Sequence, residues 1–244
     1  MTILNYPQGS LDWFIQRLWR LTGSEMSTNI SSKTAALSKS EAAVKAIDKL
    51  IAGITLANVM IARKDEFDHM DDRELGNFMA NYTGEKFFSG RHIERGHERE
   101  HLAIAALNEK TGYHFTDVGM VVMGDSEKGV ISCSPDALAY GKSGQTIITG
   151  AEIKSPSLCH HLRHIRNGGL PDEYKLQVHA CMVICECEQW EFASYCLECE
   201  EKPLHHVQVR WDDFTSKLKK SLEEFQNVYS DQYAATMSKL KGGE

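Results

Sequence analysis

The chain has 244 residues and a net charge of −7, with 42% hydrophobic and 25% charged side chains. That is long enough to bury a full core and too acidic for a protein that coats nucleic acid non-specifically, because such binding rests on neutralising phosphates. No apolar run is long enough to span a bilayer, and Met1 to Pro7 lacks the basic and apolar regions of a signal peptide, so the expected location is the cytoplasm, with no membrane partner.

Taken in chain order, Leu11 to Leu21 carries apolar residues at helical spacing, and Ser40 is placed to cap a longer helix that opens at Glu41 and runs through Met60. A polar stretch from Lys64 to Arg73 interrupts this helical part, and a further helix is expected from about Lys86 to Lys110, stopped by Thr111-Gly112. His114 to Met123 and Val130 to Tyr140 read as strands joined by the turn-forming run Gly124 to Gly129. The strand Ile147 to Lys154 follows. Ser157 to Asn167 and Asp172 to Cys185 then read as helices, Trp190 to Cys199 and His205 to Trp211 as strands, and Asp212 to about Lys241 as a closing helix. This order predicts an α/β fold with a mixed central sheet flanked by helices. With no Pro/Gly/Ser-rich linker, a single domain over 1–244 is expected: a mainly helical part over 1–90, a core over 91–211 and a C-terminal helix over 212–244.

The segment that carries chemistry is Ser134-Pro135-Asp136 followed on the next strand by Glu152-Ile153-Lys154. Period-2 alternation puts Glu152 and Lys154 on one strand face and points Ile153 into the core. If Asp136 ends the neighbouring strand, its carboxylate can share a divalent ion with Glu152, and hard carboxylate oxygens suit Mg²⁺ or Mn²⁺. Lys154 beside that ion can orient a water or stabilise charge on a phosphate. On spacing alone, a Pro-Asp turn and a Glu-x-Lys strand face also arise by chance.

Three other features compete with this one. Gly141-Lys142-Ser143 has the ending of a phosphate-binding loop, but the first glycine of that motif falls where Asp136 stands. Seven cysteines, an odd number, with Cys133, Cys159 and Cys181 inside predicted elements, read as reduced core packing. The later group Cys185, Cys187, Cys196 and Cys199 sets a zinc or iron–sulfur site against packing at a helix–strand corner, and packing is favoured. The stretch His160-His161-Leu162-Arg163-His164-Ile165-Arg166, directly after the Glu-x-Lys strand, is the basic segment available for a DNA backbone, through Arg163 and Arg166; its alternative is an ordinary solvated helix face.

Several weak motifs in one order carry a family resemblance: Gln8-Gly9 with Trp13, Arg17-Leu18, Thr22-Gly23-Ser24, Arg95-Gly96 with Glu100, Cys133-Ser134-Pro135-Asp136, Glu152-Ile153-Lys154, Gly168-Gly169, Gln177-Val178 and Trp190 to Tyr195. The chain resembles the phage lambda exonuclease and YqaJ-like viral recombinase nucleases of the PD-(D/E)xK superfamily. That resemblance implies a restriction-endonuclease-like core and a Mg²⁺-dependent 5′-to-3′ exonuclease, with two ions per site and Mn²⁺ as a substitute. It leaves 3′ single strands on linear duplex DNA for recombination by annealing. Asp136, Glu152 and the Ile153 carbonyl are implied metal ligands, with Glu100 as a further carboxylate and Glu98, two residues before it, as its close competitor. Lys154 and Gln177 are implied to serve the water, and Arg17, Ser24 and Ser134 to grip the 5′-phosphate. The implied partners are linear duplex DNA, further copies of the chain in a ring-shaped trimer, and a single-strand annealing protein, in a bacterial host cytoplasm and of phage or prophage origin. The segment between Asp136 and Glu152 is longer than in the lambda enzyme, and Thr22-Gly23-Ser24 replaces a more apolar turn. The rival readings are an endonuclease of the same superfamily and a DNA-end-binding module without chemistry.

Overall fold

The computed structural model describes residues 1–70, 74–75, 77–78, 81 and 91–240, with the backbone alone over 91–98. The N-terminal part holds strand β1 (Thr2–Leu4), helix α1 (Leu11–Arg17), strand β2 (Leu21–Thr22), the long helix α2 (Glu41–Ala62) and the single turn α3 (Lys64–Phe67). Ser10 and Ser40 cap α1 and α2 by accepting hydrogen bonds from the backbone N–H groups of Trp13 and Ala43. The polar stretch expected to interrupt the helices coils at α3, because Phe67 there is buried with Ile15, Leu56 and Met60. Helix α4 (Arg91–Thr111) leads into the sheets.

The two strands read from the sequence over 114–123 and 130–140 each break in two. The first becomes β3 (Phe115–Thr116) and β4 (Met120–Val122), and the second becomes β5 (Ile131–Cys133) and β6 (Ala137–Tyr140). The first break falls at Gly119, where a Cβ would lie 2.2 Å from the Tyr6 carbonyl oxygen, so the N-terminal segment crosses where there is no side chain. The second falls at Ser134-Pro135-Asp136, where proline cannot donate to a ladder. Each break passes the chain from one sheet to another. Strands β1-β4-β5-β2 form a four-stranded sheet, and β3-β6-β7-β8-β9 a five-stranded one, with β7 (Ile147–Lys154), β8 (Gln189–Tyr195) and β9 (Leu204–Arg210). The single mixed sheet expected from the sequence is therefore two mixed sheets, with the Pro-Asp turn at their junction.

In the five-stranded sheet only β7 and β8 run parallel. The crossover between them carries α5 (Leu158–Asn167) and α6 (Asp172–Ile184), as a parallel connection requires. Helix α4 covers one face, where Ala103 and Leu107 pack on Ala137, Ala139, Ala151, Ile153 and Ala193. On the other face α6 and the closing helix α7 (Asp213–Leu240) enclose Trp190, Val178, Met182, Leu222 and Phe225. Gly150 lets Trp190 lie flat on β7, since a Cβ there would stand 2.2 Å from the indole. Among the described residues no helix is long and apolar enough to cross a membrane.

Candidate active site

Strand β7 is covered on both faces, so the expected alternation of solvent and core does not hold there. Glu152 is 1% exposed, less than Ile153 at 8%. A carboxylate in such a place needs compensation. Both of its oxygens are sealed from solvent, and among the described residues neither has a partner in ordinary hydrogen-bond geometry. What faces them is the Lys154 ammonium, in contact with Oε1, and the Gln177 side chain on α6. Burial pushes the Glu152 carboxyl above its ordinary range, against the pull of Lys154. Burial works against charge on Lys154 as well, but Glu152 and Asp136 outweigh it and hold the ammonium protonated.

Asp136 reaches the same point from the turn before β6. Its Oδ2 accepts the Ile153 N–H at 2.5 Å, and its own N–H donates to the Ala151 carbonyl at 3.2 Å. The register pairs Ala137 with Ala151, so continuing the ladder would set Pro135 opposite Ile153. Proline has no N–H for the Ile153 carbonyl, and the Asp136 side chain takes the Ile153 N–H instead. The Pro-Asp pair thus ends the ladder and sets the Asp136 carboxylate against the backbone of β7, close enough for its charge to act on Glu152. Glu100, three residues before Ala103 on α4, stands near enough to interact electrostatically with Asp136, Glu152 and Lys154. Burial first, then Asp136 and Asp117, push its carboxyl up to about 7. Asp117, exposed on the loop after β3, gave no signal in the sequence. The Glu98 side chain lies outside the described residues.

Arg17, Ser24 and Ser134 form one cluster beside this turn. Arg17 Nη2 donates to the Thr22 and Ser24 hydroxyls at 3.4 and 3.5 Å, and its guanidinium lies 4.5 Å from the Trp13 ring centroid. Trp13 Nε1 donates to Ser134 Oγ at 3.0 Å, while Gln8 Nε2 donates to the Pro135 carbonyl at 2.8 Å. Trp13 and Gln8 therefore join the cluster to the Pro-Asp turn, a role their spacing did not reveal. Burial pulls the Arg17 guanidinium below its ordinary value, with Glu25 opposing. One turn on, Arg20 is fully buried and donates to the carbonyls of Gly129 and Ser126 at 2.9 and 2.5 Å.

The basic segment after β7 divides. Arg163 and Arg166 are exposed on α5, but His161 and His164 are buried and both bond to Ser194 Oγ, at 2.8 and 2.9 Å, so they belong to the core. The cysteine expectations need two corrections. Cys159 is exposed on α5, because its position faces away from the sheet. The later four cysteines are not one group. Cys185 and Cys187 precede β8, whereas Cys196 and Cys199 follow it, and seven extended residues span about 20 Å. Cys185 instead meets Cys133, Sγ to Sγ at 3.8 Å.

Among the described residues, no three His, Cys, Asp or Glu side chains gather closely enough to hold a metal ion unaided. The donors at the Pro-Asp turn nevertheless suit a hard divalent cation: two carboxylates beside the Ile153 backbone, one of them buried and faced by Lys154 and Gln177. Fold and site together give a mixed α/β core, consistent with a restriction-endonuclease-like fold, with two carboxylates and a lysine gathered at the Pro-Asp turn. The sequence model described as the YqaJ-like viral recombinase domain matches residues 12–188. The chain belongs to that family, and by that membership it is a nuclease. Its fold is similar to that of an alkaline exonuclease, LHK-Exo, from Laribacter hongkongensis, with 20% identity and a TM-score of 0.64 over 95% of this chain and 96% of that one. It is likewise similar to LHK-Exo in complex with dAMP, with 19% identity and a TM-score of 0.65 over 95% and 98% of the two chains. A comparison with curated protein sequences gives no match.

Proposed function

We propose that the chain is a Mg²⁺-dependent exonuclease that degrades the 5′ strand of linear duplex DNA and leaves 3′ single strands for recombination by annealing. The observation that carries this reading is the Glu152 carboxylate, 1% exposed, beside Asp136 and in contact with the Lys154 ammonium. A fold does not keep a charge in that state for stability, since a hydrophobic residue would serve better. Asp136, Glu152 and the Ile153 carbonyl would hold the first of two ions, Mn²⁺ serving as a substitute, and Glu100 would bring its carboxylate to the second. When bound, the ions supply activation of water and neutralisation of phosphate charge. Lys154 orients the attacking water and faces the charge that grows on the phosphate, and Gln177 steadies the Glu152 side chain.

The 5′ polarity is supported by the cluster around Arg17. A guanidinium half-buried over Trp13, with the Ser24 and Ser134 hydroxyls nearby, suits the terminal phosphate of a strand. Gln8 and Trp13 tie it to the turn that carries Asp136. Arg163 and Arg166 then offer the duplex backbone its cations. An acidic chain that stays on DNA without a nucleotide-driven motor is best served by encirclement, which supports a ring-shaped trimer. The proposal includes one nuclease domain over 1–244, a single-strand annealing protein as partner, and a phage or prophage protein working in the host cytoplasm.

The test is digestion of linear and circular duplex of the same sequence with Mg²⁺, the linear form labelled at either the 5′ or the 3′ end. Early release of the 5′ label with no attack on the circle is the expected result. Nicking of the circle would assign the site to an endonuclease, and early loss of the 3′ label would overturn the polarity.

A further inference from the structure

The Lys154 ammonium is held from two sides. Glu152 grips it along the strand, and on the other side Nζ stands 5.4 Å from the centroid of the Tyr174 ring. Tyr174 lies on α6 three residues before Gln177, so the two side chains share one side of that helix. The ring is itself fixed. It stacks on Phe192 with centroids 5.3 Å apart and 26° between planes. His164 packs edge-on against both rings, at 6.1 and 5.9 Å. Phe192 is the register partner of Glu152 on β8, so this aromatic wall stands on the strand beside the Glu-x-Lys pair.

The two grips differ in what they demand. A lysine has a flexible four-carbon stem and a compact ammonium that must be held to act in a fixed place. Glu152 holds it with carboxylate oxygens, and those same oxygens are the ones a divalent ion would take. A ring face attracts an ammonium through its quadrupole, uses no carboxylate lone pair and leaves the three N–H donors free. We infer that Tyr174 is the positioning residue for Lys154: its ring face keeps the ammonium at the reacting water when the Glu152 oxygens are committed to metal. This rests on the nuclease reading of the site. The aromatic face is what the role requires; the hydroxyl is dispensable.

Two readouts on the full-length protein test it, with Tyr174→Phe keeping the face and Tyr174→Met and Tyr174→Leu removing it. In metal-free wild type, the Lys154 ε-methylene protons, assigned by their loss in Lys154→Arg, should resonate upfield of an ordinary lysine through the ring current. The shift should persist in Tyr174→Phe and vanish in Tyr174→Met. With Mg²⁺ and linear duplex, Tyr174→Met and Tyr174→Leu should lower kcat about tenfold with KM unchanged, and Tyr174→Phe should stay within about threefold of wild type. An unshifted Lys154 in wild type would overturn the contact. A shift lost in Tyr174→Met with kcat unchanged would overturn the positioning role. Should one aliphatic variant fail to fold, as judged by circular dichroism, the other carries the comparison. Absence of nuclease activity in wild type would sink the reading of the site, while the resonance would still judge the contact.

Discussion

The end of β7 and the cluster around Arg17 lie on either side of one turn and are built in opposite ways. At β7 a carboxylate is buried against a lysine, with a second carboxylate beside it. Around Arg17 the guanidinium makes long contacts to the Thr22 and Ser24 hydroxyls, at 3.4 and 3.5 Å over the half-buried Trp13 ring, while Ser134 Oγ accepts from Trp13 at 3.0 Å. The first arrangement costs stability in the resting protein, and on the proposed reading a cation would relieve it. The second costs little, and on the proposed reading it would exchange its long contacts for a phosphate. The difference teaches which residues to alter to lose chemistry and which to lose end recognition.

The largest effect should come from Glu152→Gln, which keeps the volume and removes the charge. Turnover on linear duplex should fall by roughly 10²–10⁴-fold, while the thermal midpoint at pH 8 in chelator stays level or rises. A variant that melts early with turnover intact would reverse the contrast between the two regions.

A second comparison separates two arginines three residues apart. Arg20→Ala should cost about 3 kcal/mol of stability, because it strips charged donors from the buried Gly129 and Ser126 carbonyls. Arg17→Ala should leave the melting temperature nearly unchanged. It should lower activity on 5′-phosphorylated ends about tenfold more than on 5′-hydroxyl ends. Equal losses on the two ends would move Arg17 from recognition to general binding.

Acidity offers a third test. Glu100, pushed up from 4.5 to about 7, holds its proton in the folded protein while the unfolded chain has released it. Glu152 is shifted in the same direction. The folded state thus binds more protons across that window, so the stability of the metal-free protein should fall as pH rises from about 4.5 to 7 and then level off. Thermal melts at pH 5.5 and 8 in chelator should show this loss, and Mg²⁺ should suppress it. A loss unaffected by Mg²⁺ would place its origin elsewhere. The smallest change is Trp13→Phe. It keeps a ring beneath Arg17 but loses the indole bond to Ser134, and should cost a few-fold in activity on phosphorylated ends.

Much of this was legible in the chain itself. Ser40, Ile147 to Lys154 and the helices after β7 carry strong local signals, and the structure has them within a few residues. The juxtaposition of Asp136 with Glu152 was readable only on the condition that Asp136 end its strand, and the strand read over 130–140 ran through the Pro-Asp pair that breaks it. The two sheets were not readable. Their separation depends on Gly119 meeting the Tyr6 carbonyl, a contact between residues far apart in sequence. The depth of Glu152 was hidden for a related reason, since alternation predicts a face and cannot say that a helix covers it. His161 and His164 looked basic from composition, and only their shared partner Ser194 makes them core. Tyr174 and Asp117 reach the site across the fold, where spacing carries no signal.

The central claim is that Asp136 and Glu152 work through a divalent metal, and one assay addresses it most directly. Release of 5′-labelled nucleotide from linear duplex is followed for wild type and Asp136→Asn, each in Mg²⁺ and in excess chelator. The account predicts rapid release by wild type in Mg²⁺ alone and none above background in the other three conditions. Release by wild type in chelator, or wild-type-like release by Asp136→Asn in Mg²⁺, would contradict it.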